Sequence, residues 1–560
     1  MTRNVFLAHA RTVSVMPGPI RWHTDTTYFM NEQLTPLGTR LLQLLETQEA
    51  HRQYRKNEQQ QDMFHVPNTG HIVSSLYEQL RNASEYTEEH LLLQRAIRRF
   101  FTRTISFIDT TSPKSLAEEL IIELTLAEYI SNDSIATDKV EQINELIASL
   151  FTAYWRITAQ PNPPRQEVAK QWVLDLLAVR TEQILYPSIT MISFLNFAFA
   201  YYSQHITVAK HIQPHEHIDE TSYDTMLYIG IHKALLKSDP AIIRSMLLDL
   251  HGTSAESADQ MIAINSAFDT LIALKTTDRI VRIINRNGAQ LRILRQTFFS
   301  TNSTAKASIL SNRKQVGTIV RQTIEDQYRD TKNTLQRGII RSIIFLLLTK
   351  AFIGLAIEIP YDLAVYNHIA WIPLVINLFF PALFIAFTTL TLAMPGEANT
   401  AKIVQTIDAM LYQDEKPANA ALLRTFERAR HSRAFTITYA ILFIAVIGAV
   451  VHGLLLLDFN VVQILIFIIF LSTAAFLGYR LSLQVKELEM VSSEASILSL
   501  LRDFLYTPFI FIGHQISYRY AKINLVARLL DNAIELPLKT TLRLVRQWTN
   551  FLSNKKDEIL

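Results

Sequence analysis

The sequence predicts an all-α membrane protein. It combines a four-helix transmembrane bundle of two hairpins, a large N-terminal helical cytoplasmic domain and C-terminal interfacial amphipathic helices. Three observations carry this expectation. Four apolar runs between Ile339 and Arg480 are each long enough to cross a bilayer. The Lys and Arg residues of their flanks fall on one side. Ahead of Ile339, apolar residues recur at helical spacing with little strand alternation.

The four runs are Ile339–Ile359, Ile369–Met394, Ala434–Leu457 and Val461–Tyr479. Continuous apolar runs of this kind read as helices and not as the alternating strands of a barrel. The connections Pro360–His368 and Asp458–Asn460 hold no Lys or Arg, whereas the loop 395–433 holds Lys402, Lys416, Arg424, Arg428, Arg430 and Arg433. Arg329, Lys332 and Arg337 precede the first run, and Arg480 and Lys486 follow the last. The charge rule therefore puts both termini of this multi-pass protein on the cytoplasmic side of its membrane. In the second run Pro373 and Pro381 predict a kink, and Trp371 suits the aromatic belt.

Composition agrees. Hydrophobic residues make up 49% of 560, which fits a chain with roughly a sixth of its length in lipid-spanning helix. A formal charge of +3 is too small to point to nucleic acid as the main partner. With no cysteine, disulfides, thiol catalysis and thiolate metal sites are excluded together. No GxGxxG or P-loop pattern predicts a phosphate cradle, and no cofactor is expected. The first twenty residues lack a continuous apolar core, being interrupted by Arg3 and Arg11, so they do not read as a secretory signal.

In the N-terminal part, Ser112-Pro113 reads as the start of a helix carrying Leu116, Leu120, Ile121, Leu124 and Ala127 on one face. Asp239-Pro240 starts another that ends at Gly252. The segment Ala159–Gln166, with three prolines, is the best linker, giving helical subdomains 1–158 and 165–335 ahead of the transmembrane region 339–480 and the C-terminal helices 481–560. Gln183–Gln204 is uncharged and apolar, but Pro187, Ser188, Thr190, Ser193 and Asn196 favour a buried helix over a fifth span. Thr318–Leu335 feeds as helix into the first run. Within the inner loop, Asn399–Tyr412 has an amphipathic face, and Ala420–Arg433 makes a second, basic helix capped by Asn419. Phe504–Ile512, interrupted by Pro508, reads as interfacial or re-entrant. A last helix from Pro537 sets Leu538, Leu542, Val545 and Trp548 against Lys539, Arg543 and Arg546.

Several residue sets are candidate sites. Lys350 and Glu358 are ionisable residues inside the first run, and an intramembrane charge is a functional hypothesis by default. Set against that, eight residues amount to about 12 Å of helix, too far for direct pairing, which favours Lys350 snorkelling to the inner headgroups and Glu358 reaching outer water. His205, His211, His215 and His217, with Glu216, Asp219 and Glu220, have the composition of a metal shell, but Pro214 breaks the register and a polar loop is the simpler reading. Arg279, Arg282 and Arg286 share a helix face, followed by Arg292, Arg295, Arg313 and Lys314. Near a membrane such a face meets anionic lipid headgroups, and no aromatic platform accompanies it to suggest nucleic acid. His452 in the third run reads as hydrogen-bonded near the outer surface.

The C-terminal half carries LTKAFIGLAIEIPYDL from Leu348, MPGEANT from Met394, RDFLYTPFIFIG from Arg502, KINLVARLLDNAIELPLKT from Lys522 and WTNFLSNKKDEI from Trp548. In these stretches, from about Arg321 onward, it resembles a family of polytopic membrane proteins, of no established activity, from candidate-phyla-radiation (patescibacterial) bacteria. The resemblance implies a bacterial cytoplasmic membrane and no catalytic residues. Because everything ahead of Ile339 precedes the first run while the outside receives two small turns, the chain is expected to be a non-enzymatic anchor or scaffold presenting its helical domain to cytoplasmic protein partners, with homo-oligomerisation open. Two alternatives stand beside it: a transporter or channel subunit using Lys350 and Glu358, and a membrane enzyme acting on lipid.

Overall fold

In the computed structural model, α12 (Arg313–Ile353) runs for 41 residues and belongs to both halves of the molecule. The structure describes residues 34–523 apart from 58–61, 67–73, 76–77, 80, 82–90, 108–115, 188, 207–219, 253–256, 300–306, 391–393, 414–432 and 492–496, together with Thr541, Leu544 and Trp548. Among the described residues there is no β-strand, and one isolated bridge pairs Met63 with Ala136.

The N-terminal part has two adjoining cores. One is built by α2 (Leu92–Thr104), α3 (Leu116–Leu126), α4 (Thr137–Thr158) and α5 (Gln166–Leu185), which bury Phe101, Leu120, Ile121, Ile147, Phe151, Val173 and Leu177 together. The proline-rich Ala159–Gln166 is therefore a turn inside this core and not a boundary between domains, since prolines stop α4 but leave α5 free to pack on it. The second core joins α1 (Pro36–Asn57) to α6 (Ile189–His205), α7 (Glu220–Ile231), α8 (Pro240–Leu250), α10 (Lys275–Arg286) and α11 (Ala289–Phe298). Between α8 and α10 lies α9 (Ala258–Ala273). As expected, Asp239 caps α8 by accepting from the amide of Ala241 at 3.1 Å, and Gly252 follows with φ +60°. Helix α6 buries Phe194, Leu195, Phe197, Phe199 and Tyr202 in this core, which accounts for the apolar Gln183–Gln204 segment. Arg244 ties the two cores, bonding Asn265 at 2.9 Å and Asp269 at 2.7 Å, while Trp172 donates to the other oxygen of Asp269 at 3.0 Å.

Helix α12 begins inside the second core with Val316, Val320 and Ile324 and continues to Leu346, which is buried in the apolar bundle. The helix Arg313–Tyr366 as a whole is 54 residues long. It passes through a wide turn, Gly354–Glu358, into α13 (Ile359–Tyr366), and Asn367 ends it with φ 56°. Then come α14 (Trp371–Leu390), α15 (Glu397–Tyr412), α16 (Arg433–Leu455), α17 (Val461–Lys486) and α18 (Ile497–Ile523). Among the described residues, Arg313–Tyr366, Ile437–Leu455 and Val461–Lys486 are the three helices long and apolar enough to cross a membrane, while the apolar part of α14, Trp371–Phe387, is shorter. Leu348, Phe352 and Leu355 on this bundle are about two-thirds or more exposed, as lipid-facing side chains would be.

Phe504–Ile512 lies within α18, which continues through Pro508, packs against α17 and buries Phe509 beside Phe467 and Leu471. Gly513 makes this possible, because a Cβ there would collide with the carbonyl oxygen of Ser472. Of the expected inner-loop helices, α15 docks on the N-terminal part, burying Ile403, Ile407 and Leu411 in the second core, with Thr35 donating to the carbonyls of Met410 at 2.7 Å and Leu411 at 2.9 Å. The basic helix expected at Ala420–Arg433, capped by Asn419, lies almost wholly outside the described residues, as does the last helix from Pro537.

A polar collar joins the bundle to the N-terminal part. Asn399 donates to the carbonyl of Leu488 and to the hydroxyl of Tyr328, both at 2.8 Å, and accepts from the amides of Met490 and Val491. Arg292 donates to the carbonyls of Glu487 at 2.8 Å and Ala234 at 3.1 Å. The carbonyl of Ala234 belongs to the π turn His232–Leu236 that ends α7.

In that turn His232 is fully buried, its Nδ1 3.0 Å from the hydroxyl of Ser238 and its Nε2 without a partner. Burial pushes its pKa down to about 3. The folded state thus binds the proton less readily than the unfolded chain, whose histidines titrate near 6.5, so stability is full above that pH and is lost as pH falls toward 3. Thermal unfolding of the solubilised chain should lose on the order of a few kcal/mol over that window. The His232→Gln variant should show a visibly shallower acid slope, and identical slopes would refute the assignment.

Candidate functional site: a buried polar chain in the apolar bundle

Pro360 shapes this site. It has no amide proton to give the carbonyl of Ala356, and its ring crowds that carbonyl, so the helix opens into the π turn Gly354–Glu358, closed by the amide of Ile359 on the carbonyl of Gly354. In an unbroken α-helix a residue eight positions on lies about 80° round the axis. One extra residue in the turn brings Glu358 back onto the face of Lys350, and two long side chains span the remaining rise.

Lys350 Nζ accordingly donates to Glu358 Oε1, with Lys350 2% and Glu358 0% exposed. This corrects the expectation that the two cannot pair and that Lys350 snorkels: the distance estimate assumed regular helix throughout. The ammonium also lies 5.2 Å from the centre of the Phe470 ring.

The pair continues into further polar groups. Asn377 on α14, 0% exposed, donates from Nδ2 to Glu358 Oε1 at 3.1 Å and to the carbonyl of Gln463 at 3.2 Å. Asp362 is 1% exposed and lies in α13, not in the outer connection where the sequence reading placed it. Its carboxylate accepts from Asn460 Nδ2 at 2.7 Å, Gln463 Nε2 at 3.0 Å and the amide of Ala370 at 3.3 Å. Asn460 and Gln463 also form a reciprocal capping box at the start of α17. Asp362 therefore ties the turn after α13 to the turn before α17. Two oxygens in the chain, Glu358 Oε2 and Asn377 Oδ1, are buried without any hydrogen-bond partner.

The other candidates fare differently. Arg279 is half-buried, and Arg282 and Arg286 are exposed on α10, whose opposite face buries Ile280, Ile283 and Ile284. Arg292 and Arg295 are engaged internally, the latter on the carbonyl of Leu235 at 3.1 Å, and Arg313 pairs with Asp408 at 2.5 Å, so these three do not form a free basic face. His205 is taken up by the carbonyl of Tyr201, 2.6 Å from its Nδ1, and by stacking on the Tyr201 ring. His211, His215, His217, Lys539, Arg543 and Arg546 lie outside the described residues; among those described, no group of three or more His, Asp or Glu is placed to hold a metal ion. His452 is exposed on α16 and takes no part in the chain of contacts.

Sequence reasoning missed Asp362, Asn377, Asn460 and Gln463. A signal was present: Asn377 and Gln463 are amides within otherwise apolar runs, and Glu358 and Asp362 are spaced i, i+4. Comparison of the chain with models of protein families, with curated proteins and with solved structures finds no match.

A buried ion pair is costly to halve and cheap to remove whole. Lys350→Met alone is expected to destabilise the solubilised protein by about 3–5 kcal/mol, and Lys350→Met with Glu358→Gln to recover most of that loss. Additive losses in a double-mutant cycle would show that the two side chains do not interact.

Proposed function

We propose that this chain is a multi-pass protein of a bacterial cytoplasmic membrane that anchors its N-terminal helical part and presents it to protein partners in the cytoplasm. The reading takes α14 as a fourth span, since Trp371–Phe387 covers about 26 Å as helix and packs against both α12 and α17. It sets both termini on the cytoplasmic side, following the concentration of Lys and Arg beside α12, in the loop 395–433 and after α17. Anionic headgroups are the natural partners of Arg279, Arg282 and Arg286.

The observation that supports an anchoring role is the continuity of α12, one helix whose first turns sit in the N-terminal core and whose later turns sit in the apolar bundle. A tethered domain on a flexible linker would be free to tumble; here α12, Asn399 and Arg292 hold it in one orientation. The chain has no cysteine, so a single introduced thiol can be read cleanly. A364C should be labelled from outside intact cells and R282C only after lysis. A photo-cross-linker at Glu141, exposed on α4 and away from that basic face, should capture the same cytoplasmic proteins in the wild type and in Lys350→Leu. Labelling of R282C from outside, or cross-links to lipid alone, would overturn this reading.

A second reading, a transporter or channel subunit, is favoured by the buried Lys350–Glu358–Asn377 contacts. The Lys350→Leu variant separates the two, abolishing ion movement in a transporter and leaving partner capture untouched in an anchor.

A further inference from the structure

We infer that the polar chain of α12, α13, α14 and α17 is a proton site, and that protons are the species moved if the second reading of the function, on which this rests, holds. The groups around Glu358 are Lys350 from α12, Asp362 one turn on in α13, Asn377 from α14 and the carbonyl of Gln463 from α17. Of these side chains and that of Gln463, none is more than 2% exposed. With Lys350, Glu358 and Asp362 all ionised, the group carries one net negative charge away from water. Asp362 has its oxygens occupied by three N–H donors. The acceptor atoms still open are Glu358 Oε2 and Asn377 Oδ1, on side chains joined by the 3.1 Å bond from Asn377 Nδ2 to Glu358 Oε1. What they lack is a hydrogen donor.

Electrostatics and geometry select which donor. A hard metal cation takes about six oxygen ligands, and here the ammonium of Lys350 already occupies the carboxylate from one side and repels a second cation. Water supplies hydrogens but leaves the negative charge. One proton supplies both the donor and the charge, and needs a single lone pair.

The transfer balances as follows. Hydronium entering from the turn beside Asn460 gives its proton, through an intervening water, to the open Glu358 Oε2, leaving water and a carboxylic acid, while Asp362 stays an anion held by its three donors. Lys350 Nζ releases a proton to water on the inner side and becomes an amine. Glu358, now an acid, gives its proton to that amine across their existing contact, restoring carboxylate and ammonium.

The test uses the full chain in vesicles of phosphatidylethanolamine and phosphatidylglycerol, with a trapped pH dye in one set and a trapped sodium indicator in another, under an imposed membrane potential. Wild-type vesicles should acidify faster than protein-free ones and take up no sodium. Glu358→Gln keeps an acceptor for Lys350 but cannot carry a proton, and should fall to the protein-free rate while eluting as the wild type does on size exclusion. Sodium entry without protons overturns the proton assignment and leaves the transport reading standing. Proton entry undiminished in a folded Glu358→Gln variant overturns the role of Glu358. Movement of neither ion in the wild type overturns both the inference and the transport reading. Should Glu358→Gln not fold, the wild-type comparison of protons with sodium still decides between these outcomes.

Discussion

The ammonium of Lys350, enclosed among apolar helices, is the feature that the arrangement of the bundle has to satisfy. A lone charge there would cost several kcal/mol, a large share of a protein's whole stability, so a partner must be within reach. The partner is Glu358, and it is within reach because Pro360 spoils one turn of regular helix. A residue that would ordinarily weaken the helix thus sets its charges in register. The consequences spread outward: Glu358 draws in Asn377 from α14, Asn377 reaches the backbone of α17, and Asp362 fastens the turn after α13 to the turn before α17. Apolar packing around Leu346, Ile385 and Ala474 supplies contact without direction; the polar chain fixes which helices meet and at what height.

A second constraint acts at the other end. The residues just after α17 are held by Asn399, Arg292 and Lys237, which come from α15, α11 and the end of the α7 turn. Combined with an unbroken α12, this leaves little freedom between bundle and N-terminal part. Lys350 sits on the same helix that carries Val316, Val320 and Ile324 into the other core.

Much of the architecture was legible in the sequence because it rests on long-range composition. Apolar runs, helical periodicity and signals such as Asp239-Pro240 survive any detail of packing, and the all-helical fold with its apolar bundle follows from them. The site was legible only in part. Lys350 and Glu358 stand out as charges in an apolar run, but whether they meet depends on a one-residue change of helical phase, which spacing alone conceals. Asp362 was assigned to a connection because Pro360 looked like a helix end, whereas the helix continues to Tyr366. The packing of Phe504–Ile512 on α17 was hidden for a related reason. Pro508 suggested a break, and the close approach of Gly513 to α17 is a tertiary fact that no local pattern records.

The contact between Lys350 and Glu358 can be measured without reference to function. In bilayers, solid-state NMR dipolar recoupling between the 15N-labelled lysine Nζ and the 13C-labelled glutamate carboxyl, with Lys350→Met as the subtraction, reports their separation directly. A strong coupling that disappears in the variant is the predicted result. A spectrum in which Lys350 shows no coupling to any glutamate carboxyl, as for an ammonium turned out to the headgroups, would contradict it.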